Sequence, residues 1–295
     1  MSNQAQQSAP DVESQEDNPY PLPKKQQVDR VHHVIAVSSG KGGVGKSTLA
    51  VNLAFALQRM GKKVGLLDAD IYGPSIPTML GVNEPPEPDV MGRIKPVMAH
   101  GMPLISIGFM VKDEQALVWR GPLLFQVLQQ FFHEVKWCDY NEFLDYLVVD
   151  LPPGTGDIQL SMAQQVEVSG SVIVTTPQDV ALVDVKRGVS LFNMAHVPIL
   201  GVVENMSYFC CPHCGKRTDI FSSGGAQKVV EGTDLPLLGE IPLDPKIREC
   251  ADGGMPIVAA HEESEHAKRY MDIAEKLTKM LPVPDSPPPR RKRRG

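Results

Sequence analysis

The 295-residue chain is 42% hydrophobic, 22% charged and 6% aromatic, the balance of an ordinary globular protein. Its longest apolar runs are of strand length, far short of the roughly 20 residues a membrane-spanning helix needs, which excludes a membrane span. The formal charge of −6 hides an asymmetry: without the closing Arg290, Arg291, Lys292, Arg293 and Arg294, 24 basic side chains face 35 acidic ones. That body of −11 argues against specific nucleic-acid binding by the folded part.

Residues 1–30 are polar and lack apolar periodicity, so they read as a disordered leader. Their acidic run (Asp11, Glu13, Glu16, Asp17) fits neither a secretory signal nor an Arg-rich transit peptide, which favours a bacterial cytoplasm over a mitochondrial matrix. Residues 34–38 are an apolar run of strand length, followed by a glycine-rich turn. Residues 47–60 then carry apolar side chains at helical spacing (Leu49, Leu53, Phe55, Ala56, Met60) and stop at Gly61. A second strand over 63–67 runs into Asp68. Further buried strands are expected at 104–107, 146–149, 171–175, 199–203 and 237–241. Helical stretches near 122–135, 157–166, 179–195, 223–231 and 264–280 separate most of them. The last has charges on several faces and reads as a solvated surface helix. Strands alternating with helices predict an α/β fold, a single doubly wound, mostly parallel sheet over residues 31–281. A Pro-rich basic tail fills 282–295.

Gly40-Lys41-Gly42-Gly43-Val44-Gly45-Lys46-Ser47 fits G-x-x-x-x-G-K-[ST] between a strand and a helix, the context a phosphate-binding loop requires. Its glycines let backbone N–H groups converge on phosphate oxygens, and the helix N-terminus adds a favourable dipole. Lys46 is placed to reach the β- and γ-phosphates of ATP, and Ser47, followed by Thr48, to offer a hydroxyl to Mg²⁺. Asp150 closes the strand Leu147-Val148-Val149 beside this loop and is assigned to Mg²⁺, directly or through water. Asp68-Ala69-Asp70 closes the second strand. Pro152-Pro153-Gly154-Thr155-Gly156-Asp157 is either a loop that rearranges with the γ-phosphate or a rigid Pro-Gly connection.

Five cysteines, at 138, 210, 211, 214 and 250, are an odd number with no disulfide framework. Three cluster in Cys210-Cys211-Pro212-His213-Cys214-Gly215, on an insertion at about 206–222. The C-x₂-C spacing brings two thiolates to one metal face, which is half of a Cys₄ site. A half zinc ribbon completed by His213, a redox dithiol, and a site shared across a two-fold axis all remain open on these residues. Cys138 and Cys250 read as buried or incidental thiols.

The loop form K-G-G-x-G-K-[ST] resembles the deviant Walker A of the MinD/ParA/NifH group of dimeric ATPases. That resemblance implies that Lys41 reaches across a nucleotide-sandwiched dimer to the partner's phosphates. It also implies that Asp70 positions the attacking water, shared with or merely flanked by Asp68, and that the amide of Asn205 reads adenine. Motifs beginning at Gly40 (G-K-G-G-V-G-K-S-T), Asp68 (D-A-D-I-Y-G-P-S-I-P), Asp150 (D-L-P-P-G-T-G-D), Thr175 (T-T-P-Q-D-V-A-L) and Glu204 (E-N-M-S-Y-F) together resemble the Mrp/NBP35 family over about 30–280. The family implies a slow ATPase that carries a labile [4Fe–4S] cluster at a homodimer interface and delivers it to apo iron–sulfur proteins. Cys211 and Cys214 would be its ligands, with zinc a possible substitute. The short form without an extra N-terminal domain, or a form like the mitochondrial Ind1 branch, is the better comparison. A ParA/MinD-like positioning ATPase acting on DNA or membrane surfaces is the alternative reading.

Overall fold

The computed structural model describes residues 25–110, 121–139, 141–154, 156–178, 181–221 and 230–288. The leader through residue 24, nearly all of the expected helix at 223–231, Thr155 and the basic run from 289 lie outside the described residues.

Buried parallel strands need apolar side chains on both faces, and the apolar runs become strands. They are β1 (Val31–Ser39), β2 (Val64–Asp68), β4 (Met102–Ser106), β5 (Leu144–Asp150), β6 (Gly170–Thr175), β7 (Ile199–Glu204) and β10 (Leu237–Glu240). A short strand β3 (Val97–Ala99) joins antiparallel at the edge. The eight-stranded order is β10-β7-β6-β1-β5-β2-β4-β3, and every other pairing is parallel. Strands β8 (Phe209–Cys210) and β9 (Arg217–Thr218) form a separate antiparallel hairpin.

Helices α1 (Lys46–Arg59), α2 (Ile76–Met79), α3 (Gly121–His133), α4 (Asp157–Gln165), α5 (Ala181–Met194), α6 (Pro245–Asp252), α7 (Ile257–Ala260) and α8 (Glu265–Met280) complete the domain. One core lies between the sheet and α1, α7 and α8, and the other between the opposite sheet face and α3, α4 and α5. Helix α1 is buried along most of its length from Leu49 to Leu57, because α8 covers the side the sheet does not.

Helix α8 corrects the expectation of a solvated helix. Ala267, Tyr270, Ile273, Ala274 and Leu277 form a buried stripe at helical spacing, while its charges occupy the rest of the surface. Each large side chain in that stripe contributes on the order of 2 kcal/mol by leaving water. The apolar face is thus spent on the core. No helix among the described residues is long and apolar enough to cross a membrane.

The edges of the domain are also wider than expected. Residues 25–30, assigned by composition to the leader, pack as a strap: Gln26 bridges Val166, its N–H donates to the Gln165 carbonyl at 2.7 Å, and Val28 is buried. Lys25 Nζ donates to the Ala195 carbonyl. At the other terminus, the Tyr146 hydroxyl donates to the Leu281 carbonyl at 2.6 Å and His33 Nε2 meets the Pro282 carbonyl at 3.0 Å. The segments at 25–28 and 281–282 are therefore both fastened at the rim where the parallel strands begin.

Candidate nucleotide site and cysteine hairpin

The carboxyl ends of β1, β5, β2, β6 and β7 form the opposite rim. In-register pairing brings chemistry-bearing residues side by side there: Val37 faces Asp150, Asp68 faces Asp150, Ser106 faces Asp68, and Glu204 faces Thr175. The loop from Gly40 to Gly45 leaves β1 and enters α1, carrying Lys46, Ser47 and Thr48 on the first turn. Gly45 has φ +82, and a β-carbon there would also run into the Asn205 amide, so only glycine satisfies both backbone and neighbour.

Lys46 is the centre of the site. Its ammonium is 2.6 Å from Asp150 Oδ1 and 3.1 Å from Asp70 Oδ2, with side-chain exposure of 5%, 0% and 10% for the three residues. Burial alone would lower the lysine pKa. Asp150 and Asp70 outweigh it and hold the ammonium above its ordinary value. Burial likewise raises Asp150, opposed by Lys46 and by a hydrogen bond from Ser47. Among the described residues Asp150 Oδ2 is buried without a hydrogen-bond partner. A bare carboxylate oxygen beside the Ser47 hydroxyl is a donor set that fits a hard cation such as Mg²⁺.

Asp68 differs from its neighbour Asp70. Its Oδ2 accepts from the Ser106 hydroxyl at 2.9 Å and the Ile76 N–H at 3.3 Å, and its Oδ1 from the Asp70 N–H at 3.2 Å. Asp68 therefore organises the turn into α2. Burial, then the Asp150 carboxylate, pushes its carboxyl up to about 8. The folded chain thus binds a proton that the unfolded chain has released. The corresponding stability is fully present below the ordinary carboxylate range and is lost as pH rises through about 8. Asp68→Asn is expected to flatten that pH dependence, read from melting temperatures between about pH 5 and about pH 9. Parallel profiles for variant and parent would refute the assignment.

Lys41 is half-buried and donates to Gln178 Oε1 at 2.8 Å. Asn205 donates its Nδ2–H to the Val44 carbonyl at 2.8 Å, and its N–H bonds the Thr175 carbonyl at 2.8 Å. The carbonyl partner fixes the amide orientation and leaves Oδ1 facing no partner among the described residues. The loop after β5 is tied to the phosphate loop by the Gly154 N–H to Ser39 carbonyl bond at 2.8 Å. Ser106 and Gln178 were not anticipated as site residues: Gln178 lies inside the motif that begins at Thr175 but had no role there, and Ser106 belongs to no motif, so strand register alone reveals it.

The cysteine pair sits on the β8–β9 hairpin. The Cys211 N–H donates to the Lys216 carbonyl at 3.0 Å and the Gly215 N–H to the Cys211 carbonyl at 2.8 Å. Backbone N–H groups of His213 and Cys214 aim at the Cys211 sulfur, and with a Cys214 contact they hold its thiol below the ordinary value. Cys214 is exposed and Cys211 half-buried. No cluster of three or more His, Cys, Asp or Glu able to hold a metal occurs among the described residues. By contrast, burial pushes the Cys138 thiol up to about 11, and raises Cys250 as well.

A phosphate loop after the first strand of a parallel sheet, with carboxylates at the adjoining strand ends, defines a P-loop nucleotide-binding NTPase. The family model described as ParA, NUBPL iron-transfer P-loop NTPase matches residues 30–278, and the chain belongs to that family. The iron-sulfur cluster carrier protein of Salmonella typhimurium is 52% identical over 256 residues, covering 86% of this chain and 68% of that one. The mouse (Mus musculus) iron-sulfur cluster transfer protein NUBPL is 47% identical over 262 residues, covering 88% and 81%. Among solved structures, a nucleotide-binding protein from Archaeoglobus fulgidus in complex with ADP aligns with TM-score 0.68 and 34% identity, over 82% of this chain and 93% of its own. The Pyrococcus furiosus cell division ATPase MinD aligns with TM-score 0.64 and 28% identity, over 84% and 99%.

Proposed function

We propose that this protein is an ATP-dependent iron–sulfur cluster carrier. Two copies hold one [4Fe–4S] cluster between their Cys211 and Cys214 thiolates and hand it to apoproteins. The observation that carries the reading is the cysteine hairpin. It offers two accessible sulfurs, one with a lowered pKa, and no further cysteine, histidine or carboxylate joins them among the described residues. Two thiolates are half of a tetrahedral set, and a two-fold axis supplies the rest. The names of the relatives, a carrier and a transfer protein, point the same way.

On this reading ATP enters at the glycine-rich loop and Lys46 leaves its carboxylates for the β- and γ-phosphates. That move frees Asp70 Oδ2 to accept a hydrogen bond from the attacking water, whose oxygen displaces ADP from the γ-phosphorus. Ser47 and Asp150 would hold Mg²⁺, which neutralises charge on the phosphate oxygens. Lys41, turned away from Gln178, would reach the partner's phosphates and act as a second cation in trans. Asn205 Oδ1 would accept from the exocyclic amine of adenine, favouring ATP over GTP, whose base presents a carbonyl there. Nucleotide binding can drive release only by favouring one dimer geometry over another, so hydrolysis is slow and coupled to cluster transfer.

Anaerobic reconstitution with ferrous iron and sulfide, followed by size-exclusion chromatography with iron and absorbance detection, tests the carrier. Iron is expected to elute with a dimer and to move to an apo acceptor faster with Mg-ATP than without nucleotide. Iron bound to monomer, or none retained, would overturn the shared site.

A further inference from the structure

Between the phosphate loop and the cysteine hairpin lies a short segment whose contacts touch both. Asn205 holds the Val44 carbonyl of the loop at 2.8 Å. The next residue, Met206, has φ +56, a left-handed conformation costing a non-glycine residue roughly 1 kcal/mol. Flanking anchors hold it there: the Ser207 N–H on the Ile241 carbonyl at 2.9 Å and the Leu243 N–H on the Tyr208 carbonyl at 2.7 Å.

Ser207 then meets two carboxylates. Glu204 and Glu240 are register partners on β7 and β10. The Ser207 hydroxyl donates to Glu204 Oε2 at 2.6 Å and lies 3.2 Å from Glu240 Oε1. A hydroxyl has one proton, so it can serve one carboxylate fully at a time, and this is a two-position element. Glu240 Oε2 is 3.9 Å from Arg217 Nη1, and the Arg217 guanidinium lies 4.0 Å over the Tyr208 ring. Arg217 sits on β9 opposite Cys210, next to Lys216, whose carbonyl closes the turn onto Cys211.

We propose that Ser207, Glu240 and Arg217 relay the nucleotide state of the phosphate loop to the cysteine hairpin, with Arg217 as the positioning residue for Cys211 and Cys214. A nucleotide that shifts Asn205 moves the strained 205–207 turn. Ser207 then changes its share between Glu204 and Glu240, and the Glu240–Arg217 contact tightens or loosens. The hairpin follows because Arg217 is stacked on Tyr208 at its base. The relay deepens the carrier reading, since its output is the geometry of the two cargo thiolates.

The test uses the full-length, cluster-free protein, so it does not depend on a cluster being bound. Alkylation rates of Cys211 and Cys214 by iodoacetamide, resolved by peptide mass, are compared with and without Mg-ATP. The wild-type ratio is expected to differ from unity by about 5-fold or more, the lower end of ordinary allosteric coupling. In Arg217→Ala and Glu240→Gln the ratio is expected to fall to near one, with ATP affinity and melting temperature unchanged. Arg217→Lys, which keeps the charge and loses the planar stack, is expected to restore part of it. A wild-type ratio of one, or variants that keep the wild-type ratio, would overturn the relay. Loss of iron binding with the ratio intact would instead remove the carrier reading and leave the relay standing.

Discussion

Replacing Cys211 or Cys214 with alanine is expected to reduce the iron retained after anaerobic reconstitution to background. On the proposed shared site the effect is large because symmetry doubles it. A single substitution would remove one ligand from each copy, so two of the four sulfurs would vanish together and the remaining pair could not complete a cluster. Cys210→Ala serves as the control, since Cys210 belongs to the β8 strand and precedes the C-x₂-C turn. It is expected to keep the parent's iron and absorbance. Cys138→Ala should also be silent, because a thiol pushed up to about 11 is not a thiolate at neutral pH. If the Cys211 variant holds as much iron as the parent, the cluster is not where the hairpin places it.

Lys46→Met is expected to do two separable things. Phosphate release from ATP should fall by about 10²-fold or more, because the cation proposed to face the transferred phosphoryl group would be gone. The nucleotide-free protein should also lose stability, by about 3 kcal/mol or more, because Asp150 and Asp70 are left in a buried site without their counter-ion. Thermal melts and phosphate assays read the two effects independently. The melting deficit should narrow as pH falls and the stranded Asp150, whose carboxyl burial already raises, takes up a proton, since its neutral form needs no cation. Adding Asp150→Asn to Lys46→Met should recover much of the stability and none of the hydrolysis. A Lys46→Met protein that melts with the parent at neutral pH would show that the 2.6 Å contact to Asp150 does not hold the empty site together.

The same contacts show what a linear chain reveals and what it conceals. Strands β1, β5 and β6 were legible because parallel strands buried on both faces must be written as unbroken apolar runs. The phosphate loop was legible because its chemistry demands glycines and a lysine at fixed spacing over a few residues. Strand β3 was not, since three residues of an antiparallel edge carry no period. Helices α2 and α7 are too short to show a face, and α8 misled because its long charged side chains mask a narrow buried stripe. The pairing of Lys46 with Asp150 spans 104 positions and exists only through the register of β1 on β5. Asn205 was picked out by resemblance, yet its grip on Val44, 161 positions away, needed the fold to appear. Likewise, nothing in the composition near Val28 separates the packed strap at 25–30 from the polar residues before it.

That strap and its counterpart at Leu281 and Pro282 also set how the molecule can be handled. Strand β1 is nine residues long, so the fastened ends stand roughly 30 Å from the phosphate loop. A purification handle, a fluorophore or a solid support that reaches the fold through residue 25 or residue 282 approaches from behind. The nucleotide rim then points outward, which leaves it open for the face-to-face meeting of two copies that the proposed shared site requires.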